Sequence, residues 1–219
     1  TAGLAIQGKA GPYDRFRRRL MFPILDARGR VVGFGGRSLD DQEPKYLNSP
    51  ETPLYTKGRH LFGLAQAKEA IVEAKTAVLV EGYFDCVVLA AGGVRHVASP
   101  LGTALTEPQA RLLKRYAEQV ILAFDADAAG EQATLRGLDV RVESGLQRRV
   151  AQRPAGVDPD EHLQALGGRQ FQEWLDRSAD VFDFLLGTAR RRYRGSQGAG
   201  GATAAGTEQK VRAAQFVLP

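Results

Sequence analysis

Glu81 directly follows the apolar run Ala77-Val78-Leu79-Val80, and Asp125 and Asp127 directly follow Val120-Ile121-Leu122-Ala123-Phe124. Asp85 comes one helical turn after Glu81, and Asp158-Pro159-Asp160 is a second Asp-x-Asp pair that the proline is expected to hold extended. Carboxylates brought close together repel one another and stay ionised only beside a cation. Hard divalent ions such as Mg²⁺ take all-oxygen ligand sets and leave positions for substrate phosphates. Asp-Ala-Asp lets two carboxylates reach one ion across a small residue. Each acid also has a plainer reading. An Asp-x-Asp before a helix ordinarily caps free backbone N–H groups, and Glu81-Gly82 could be a strand-ending turn. Capping does not explain two strands that both end in acids.

For these acids to meet, the runs before them must be neighbouring strands. Thr76–Val80 reads as a buried strand, Asp85–Ala91 as a helix, His96–Ala98 as a short strand, and Val120–Phe124 as the next. Thr106 opens a helix with Pro108 in its first turn, running to Glu118. A further helix from Asp127 through Gly137 and a strand at Arg148–Gln152 follow. Strand–helix alternation predicts a parallel sheet covered by helices, and ligands bind such sheets at the carboxyl ends of the strands.

Upstream, Leu20–Asp26 and Val31–Arg37 read as a β-hairpin turning at Gly29. Residues 38–58, with Pro44, Pro50, Pro53 and Gly58, read as loop, and 60–74 as an amphipathic helix. After Gly168 the pattern is helical, at Phe171–Asp176 and Asp180–Tyr193, with Trp174 in its core. Residues 195–206 read as a flexible Gly/Ala-rich link, with another helix over Thr207–Leu218.

The chain has 219 residues, 43% hydrophobic and 25% charged, ordinary values for a globular protein. No apolar run approaches the ~18 residues of a membrane span. One cysteine and three histidines cannot build a Cys-rich zinc site or a disulfide framework. Cys86 reads as a small buried side chain, and His60, His96 and His162 have no metal-site spacing. A reducing, cytoplasmic setting is expected. Because the first residue is Thr, the chain is expected to be a piece of something longer. Residues 1–60 hold eleven Lys/Arg against six Asp/Glu, which accounts for the whole formal charge of +5. A cationic segment on a neutral body suits a polyanion, with a solvated basic surface as the plainer alternative.

The runs Leu79–Asp85, Ala98–Thr106 and Ala123–Gly130 resemble the TOPRIM domain of bacterial DNA primases of the DnaG type. Tyr13-Asp14-Arg15-Phe16-Arg17, Met21–Ile24, Gly33–Arg37, Pro44–Thr52 and Lys57-Gly58-Arg59 are similar to the amino-terminal subdomain of the primase RNA polymerase core. Asp158-Pro159-Asp160-Glu161 matches the pattern after TOPRIM. The resemblance covers about residues 3–165. It implies an α/β fold: a TOPRIM-type parallel sheet flanked by helices (75–165), an α+β amino-terminal subdomain (1–74, trimmed at its start) and a truncated carboxy-terminal helical subdomain (168–219).

It also implies synthesis of short RNA primers on single-stranded DNA. Glu81, Asp125 and Asp127 would be the principal catalytic and metal residues, with Asp85, Asp158 and Asp160 completing the acidic cluster around Mg²⁺ or Mn²⁺. Glu81 would also be the general acid/base. Arg37, Lys45, Asn48, Lys57 and Arg59 would handle template and incoming nucleotide. Implied partners are single-stranded DNA, ribonucleoside triphosphates, the RNA–DNA hybrid product and a replicative helicase reached through a domain absent here. No zinc is expected in this fragment, nor a membrane partner, and the fragment is expected to be monomeric. Alternatives are another TOPRIM enzyme (a nuclease or topoisomerase-like module) or a non-catalytic DNA-binding module. Departures from the pattern are Ala126 for Gly, Cys86 for a β-branched or small apolar residue, and Pro100, an extra residue in the Ala98–Gly102 loop.

Overall fold

A computed structural model of the chain describes residues 3–40, 43–102, 104–124, 145–151 and 159–194. Asp125, Asp127, Asp158, the helix expected from Asp127, the 195–206 link and the Thr207–Leu218 helix lie outside the described residues.

The amino-terminal part opens with a hairpin of β1 (Ala5–Gly8) and β2 (Gly11–Asp14). The hairpin expected after it is β3 (Arg19–Leu25) paired antiparallel with β4 (Val31–Ser38). Asp26 builds its turn, accepting from the Arg28 and Arg30 N–H groups at 2.9 and 3.0 Å, while Gly29 takes φ 84°. The hydrogen bond from the Arg30 N–H holds the Asp26 carboxyl below its usual range.

Residues 38–58 are not all loop. β5 (Tyr46–Asn48) adds a third strand to β4, and Lys57–Arg59 forms one 3₁₀ turn. Three residues are too few to show a period, so pairing with β4 supplies the order that local sequence does not. β4 carries Gly33 and Gly35 where side chains press on the backbone. A Cβ on Gly33 would sit 3.1 Å from the Tyr55 ring, and one on Gly35 2.9 Å from the Tyr83 ring. Glycine inside a strand here marks close approach, the use it commonly has there.

From Leu64 the chain alternates helix and strand: α1 (Leu64–Ala74), β6 (Thr76–Leu79), α2 (Tyr83–Ala91), β7 (Val97–Ala98), α3 (Glu107–Leu113), β8 (Gln119–Leu122), β9 (Gln147–Val150), α4 (Pro159–Asp176), β10 (Ala179–Asp180) and α5 (Val181–Arg194). The strands form one sheet in the order β10-β9-β8-β6-β7, parallel except for β10. Strand alternation sorts the core into two faces. Val78, Val80, Val97, Ile121 and Ala123 share a cluster with Cys86 and Leu89 of α2 and Leu163 and Phe171 of α4. Ala77, Leu79, Ala98, Val120 and Leu122 share the other with Leu64 and Ile71 of α1 and Ala110 and Leu113 of α3. Phe22, Ile24 and Tyr55 belong to the first cluster, so the amino-terminal sheet and the parallel sheet have a continuous core.

Several boundaries differ from expectation. α1 starts at Leu64 rather than 60, because Gly63 is left-handed and Phe62 instead bridges to Ser99. α3 stops at Leu113, five residues before Glu118. Thr106 caps it in a reciprocal box with Gln109, the signature of Thr-x-x-Gln. Pro159 does not hold an extended pair; it is the first residue of α4, where its missing N–H costs nothing. α4 is broken at Gly167 (φ 74°, ψ 160°). The unexpected β10 pairs antiparallel with β9, so the segment after 168 adds a strand to the sheet as well as helices. Among the described residues no helix is long and apolar enough to cross a membrane.

Candidate functional site

β6 connects through α2 to β7 on one side, and the chain then crosses by α3 to β8 on the other side of β6. The order therefore reverses between β6 and β8, and the crevice at such a reversal is where open α/β sheets bind ligands. Leu79 is paired with Leu122, so β6 and β8 end at the same edge, and Glu81 stands two residues beyond Leu79.

Glu81 is half-buried, and its carbonyl is held twice. The Ser99 hydroxyl donates to it at 2.7 Å and the Gly102 N–H at 3.0 Å. Leu101 and Gly102 reach this position with φ 65° and 72°, and the Leu101 N–H donates back to Ser99 Oγ at 3.0 Å. The Pro100 loop therefore has a defined turn that fixes the backbone of the first acid. Asp85 lies beside it at the start of α2, where its carboxylate accepts the Gly82 N–H at 3.0 Å. Asp85 thus caps the start of α2 from its third position.

The expected cations divide by environment. The Arg37 guanidinium lies over the Phe84 ring at 4.2 Å and near Tyr46 at 5.8 Å, which carries it from β4 to the first turn of α2. Lys45 is exposed beside Tyr46, and Arg59 is exposed on the 3₁₀ turn. Lys57 is partly buried, and that burial lowers its ammonium pKa against the opposing pull of Glu51. Asn48 differs from these: its side-chain oxygen is buried, 3.2 Å from where a Gly35 Cβ would stand, and Arg15 donates to its backbone oxygen. Sequence reasoning missed Phe84 and Tyr46 as supports for Arg37, and Ser99 as the anchor of Glu81. Only Thr-x-x-Gln had a local signal.

Cys86 is 3% exposed, and burial pushes its thiol up to about 12. Being protonated at neutral pH, it is expected to resist a thiol reagent in the native chain and to react only on unfolding. Labelling at the native rate of a free thiol would contradict its burial.

Among the described residues no three His, Cys, Asp or Glu side chains gather as a metal cluster; Asp125 and Asp127 lie outside that set. The donor chemistry still fits a hard divalent cation: the acids at these strand ends are all carboxylates, and the first is anchored through its backbone.

Comparison with known proteins gives this edge a family. The DNA primase catalytic core, N-terminal domain, matches residues 1–68, and a Toprim-like domain matches residues 78–163. A DNA primase of Clostridium acetobutylicum is 46% identical over 188 residues, covering 86% of this chain and 31% of that protein. The chain thus spans about a third of the length of this relative. The E. coli primase catalytic core superposes with a TM-score of 0.85 at 37% identity, covering 100% of this chain and 68% of that one. A DnaG primase catalytic domain bound to single-stranded DNA gives 0.84 at 36%, covering 100% and 69%. A TOPRIM-type core of this kind points to a divalent metal. With both domain matches in chain order, and with this whole chain aligned to 68% of a solved primase core at 37% identity, the chain belongs to the bacterial DnaG-type DNA primases.

Proposed function

We propose that this chain polymerises ribonucleotides into short RNA primers on single-stranded DNA, as the catalytic core of a replication primase. The observation that carries the reading is that Arg37 of the amino-terminal sheet lies over Phe84, which stands between Glu81 and Asp85 in sequence, while the two sheets share one core. Similarity to a DnaG catalytic domain bound to single-stranded DNA supports the template class.

Glu81, Asp125 and Asp127 would hold Mg²⁺ or Mn²⁺, with Asp85, Asp158 and Asp160 around them. When bound, such ions stabilise attacking and leaving phosphate oxygens. The chain's own residues orient the reactants. Glu81, its backbone held by Ser99 and Gly102 just after β6, would accept a proton from the attacking hydroxyl. Arg37, Lys45, Lys57 and Arg59 supply positive charge for template and triphosphate phosphates. Asn48 would join them on this wall, its backbone paired with Gly35 of β4.

The domains would divide at 1–74, 75–165 and 168–219, a partition that the matches to 1–68 and 78–163 support. The RNA–DNA hybrid would be the product, the setting the cytoplasm, the chain a monomer, and a replicative helicase a partner.

The test uses the chain with a single-stranded template, the four ribonucleotides and Mg²⁺ or Mn²⁺. Short RNA is expected, lost on Asp125→Ala or Asp127→Ala. Lys57→Ala is expected to raise KM and to lower the salt slope by about one. RNA synthesis that survives both Asp variants unchanged would overturn the site assignment. DNA cleavage without RNA would replace primase by nuclease chemistry.

A further inference from the structure

Two residues that no substrate is expected to touch are bonded to Glu81 and to the Lys57–Arg59 turn. Gln109 is fully buried in α3, and its amide nitrogen is spent outside its own helix. Its amide nitrogen donates to the Lys57 carbonyl at 3.2 Å and the His60 carbonyl at 2.8 Å, while its oxygen accepts the Thr106 N–H at 3.0 Å. The Thr106 hydroxyl donates to the Gly58 carbonyl at 2.5 Å. Three of the four carbonyls from Lys57 to His60 are therefore held from across the fold. Within the turn there are only the Arg59 N–H to Thr56 and the long 3.4 Å bond from His60 to Lys57. So short a turn is set by its outside partners.

At its other end the same connection holds the acid. Ser99, also fully buried, donates to the Glu81 carbonyl. The backbone of Ser99 makes paired bonds with Phe62, at 2.8 and 2.9 Å, three residues after Arg59. The segment from Ser99 to Gln109 is thus tied to residues 57–62 at both of its ends, and to Glu81 at one.

We propose that this β7–α3 connection is a two-sided clamp that sets the distance between Glu81 and the Lys57–Arg59 turn, with Ser99 and Gln109 as positioning residues for nucleotidyl transfer. The inference rests on the functional reading above. Reacting groups misplaced by about 1 Å can cost up to ~10²-fold in rate. Two buried side chains that fix the two walls independently should therefore be felt in different kinetic constants.

The experiment compares Gln109→Leu and Ser99→Ala in the full chain. Gln109→Leu keeps the bulk and deletes the bonds to the turn. It is expected to raise KM for ribonucleotide about tenfold with kcat within about twofold, the scale of a lost hydrogen bond to a positioned group. Ser99→Ala is expected to lower kcat about tenfold with KM within about twofold. Amide hydrogen exchange gives a readout that does not depend on activity. Arg59 and His60 should exchange faster only in Gln109→Leu, and Leu101 and Gly102 only in Ser99→Ala. Should Gln109→Leu not fold, Thr106→Val, which deletes the hydroxyl bond to Gly58, should show the same KM-only change at about threefold.

Equal changes in kcat and KM in both variants, or exchange rising at both places together, would reduce these residues to ordinary stabilising contacts and overturn the clamp. If Lys57→Ala leaves KM unchanged, the role of Lys57 fails, and the clamp is then decided by the exchange pattern alone.

Discussion

Glu81→Gln is expected to lower primer synthesis by about 10²- to 10³-fold while leaving the fold intact, the scale seen when one group that stabilises a transition state is removed. The substitution keeps the size of the side chain and removes only its charge. The backbone cannot drift, because the Glu81 carbonyl stays bonded to Ser99 and Gly102. Stability should change by less than about 1 kcal/mol, since no buried apolar contact is lost. Mutual repulsion among carboxylates also falls when one becomes neutral, which works in the stabilising direction. The metal concentration for half-maximal activity should rise, because one anionic oxygen ligand becomes a neutral one. Turnover measured against Mg²⁺ concentration, beside a urea unfolding curve, reads both effects. Wild-type turnover at every metal concentration would remove Glu81 from the reaction.

Tyr83→Ala should produce the largest loss of stability. Tyr83 is 2% exposed and stands where the two sheets meet. Its ring centroid lies 4.8 Å from Phe22, 5.7 Å from Phe62 and 5.2 Å from Tyr46. Gly35 leaves room for it on β4. Truncating such a side chain costs about 3–5 kcal/mol through lost transfer energy and the cavity left behind. For a chain of this size that lowers Tm by on the order of 10 °C. Activity should fall further than stability explains, because Tyr46 and Phe84 both neighbour the Arg37 guanidinium and both lean on this seam. Tyr83→Phe retains the ring and should stay within about 1 kcal/mol of wild type. A Tyr83→Ala chain with unchanged Tm would show that the two sheets do not depend on this contact.

β6 and β8 were legible because each is a short apolar run with an abrupt polar end, and burial on both faces writes that pattern directly into sequence. The same ends exposed Glu81, Asp125 and Asp127 as candidates, and the Gly33–Arg37 and Lys57–Arg59 motifs carried the family resemblance. Thr106 was legible as a helix start because Pro108 sits in the first turn, where its missing N–H costs nothing. β5 and β10 were not legible. Their three and two residues carry no period, and they exist because β4 and β9 offer unpaired N–H and C=O groups beside them. For the same reason Pro159 read as an extended spacer: only the helix that follows shows it to be a first turn.

By itself, then, the sequence determined which residue types could do chemistry, the strand ends that carry them, and the excess of cations in residues 1–60. The tertiary structure decided their arrangement. It reversed the strand order between β6 and β8 to open the crevice, laid Arg37 over Phe84, turned the Asn48 amide oxygen inward, and tied Glu81 and the Lys57–Arg59 turn to one connection through Ser99 and Gln109. Those bonds join residues 18 to 52 positions apart. No local pattern encodes contacts at that separation, because they form only after the two sheets share a core.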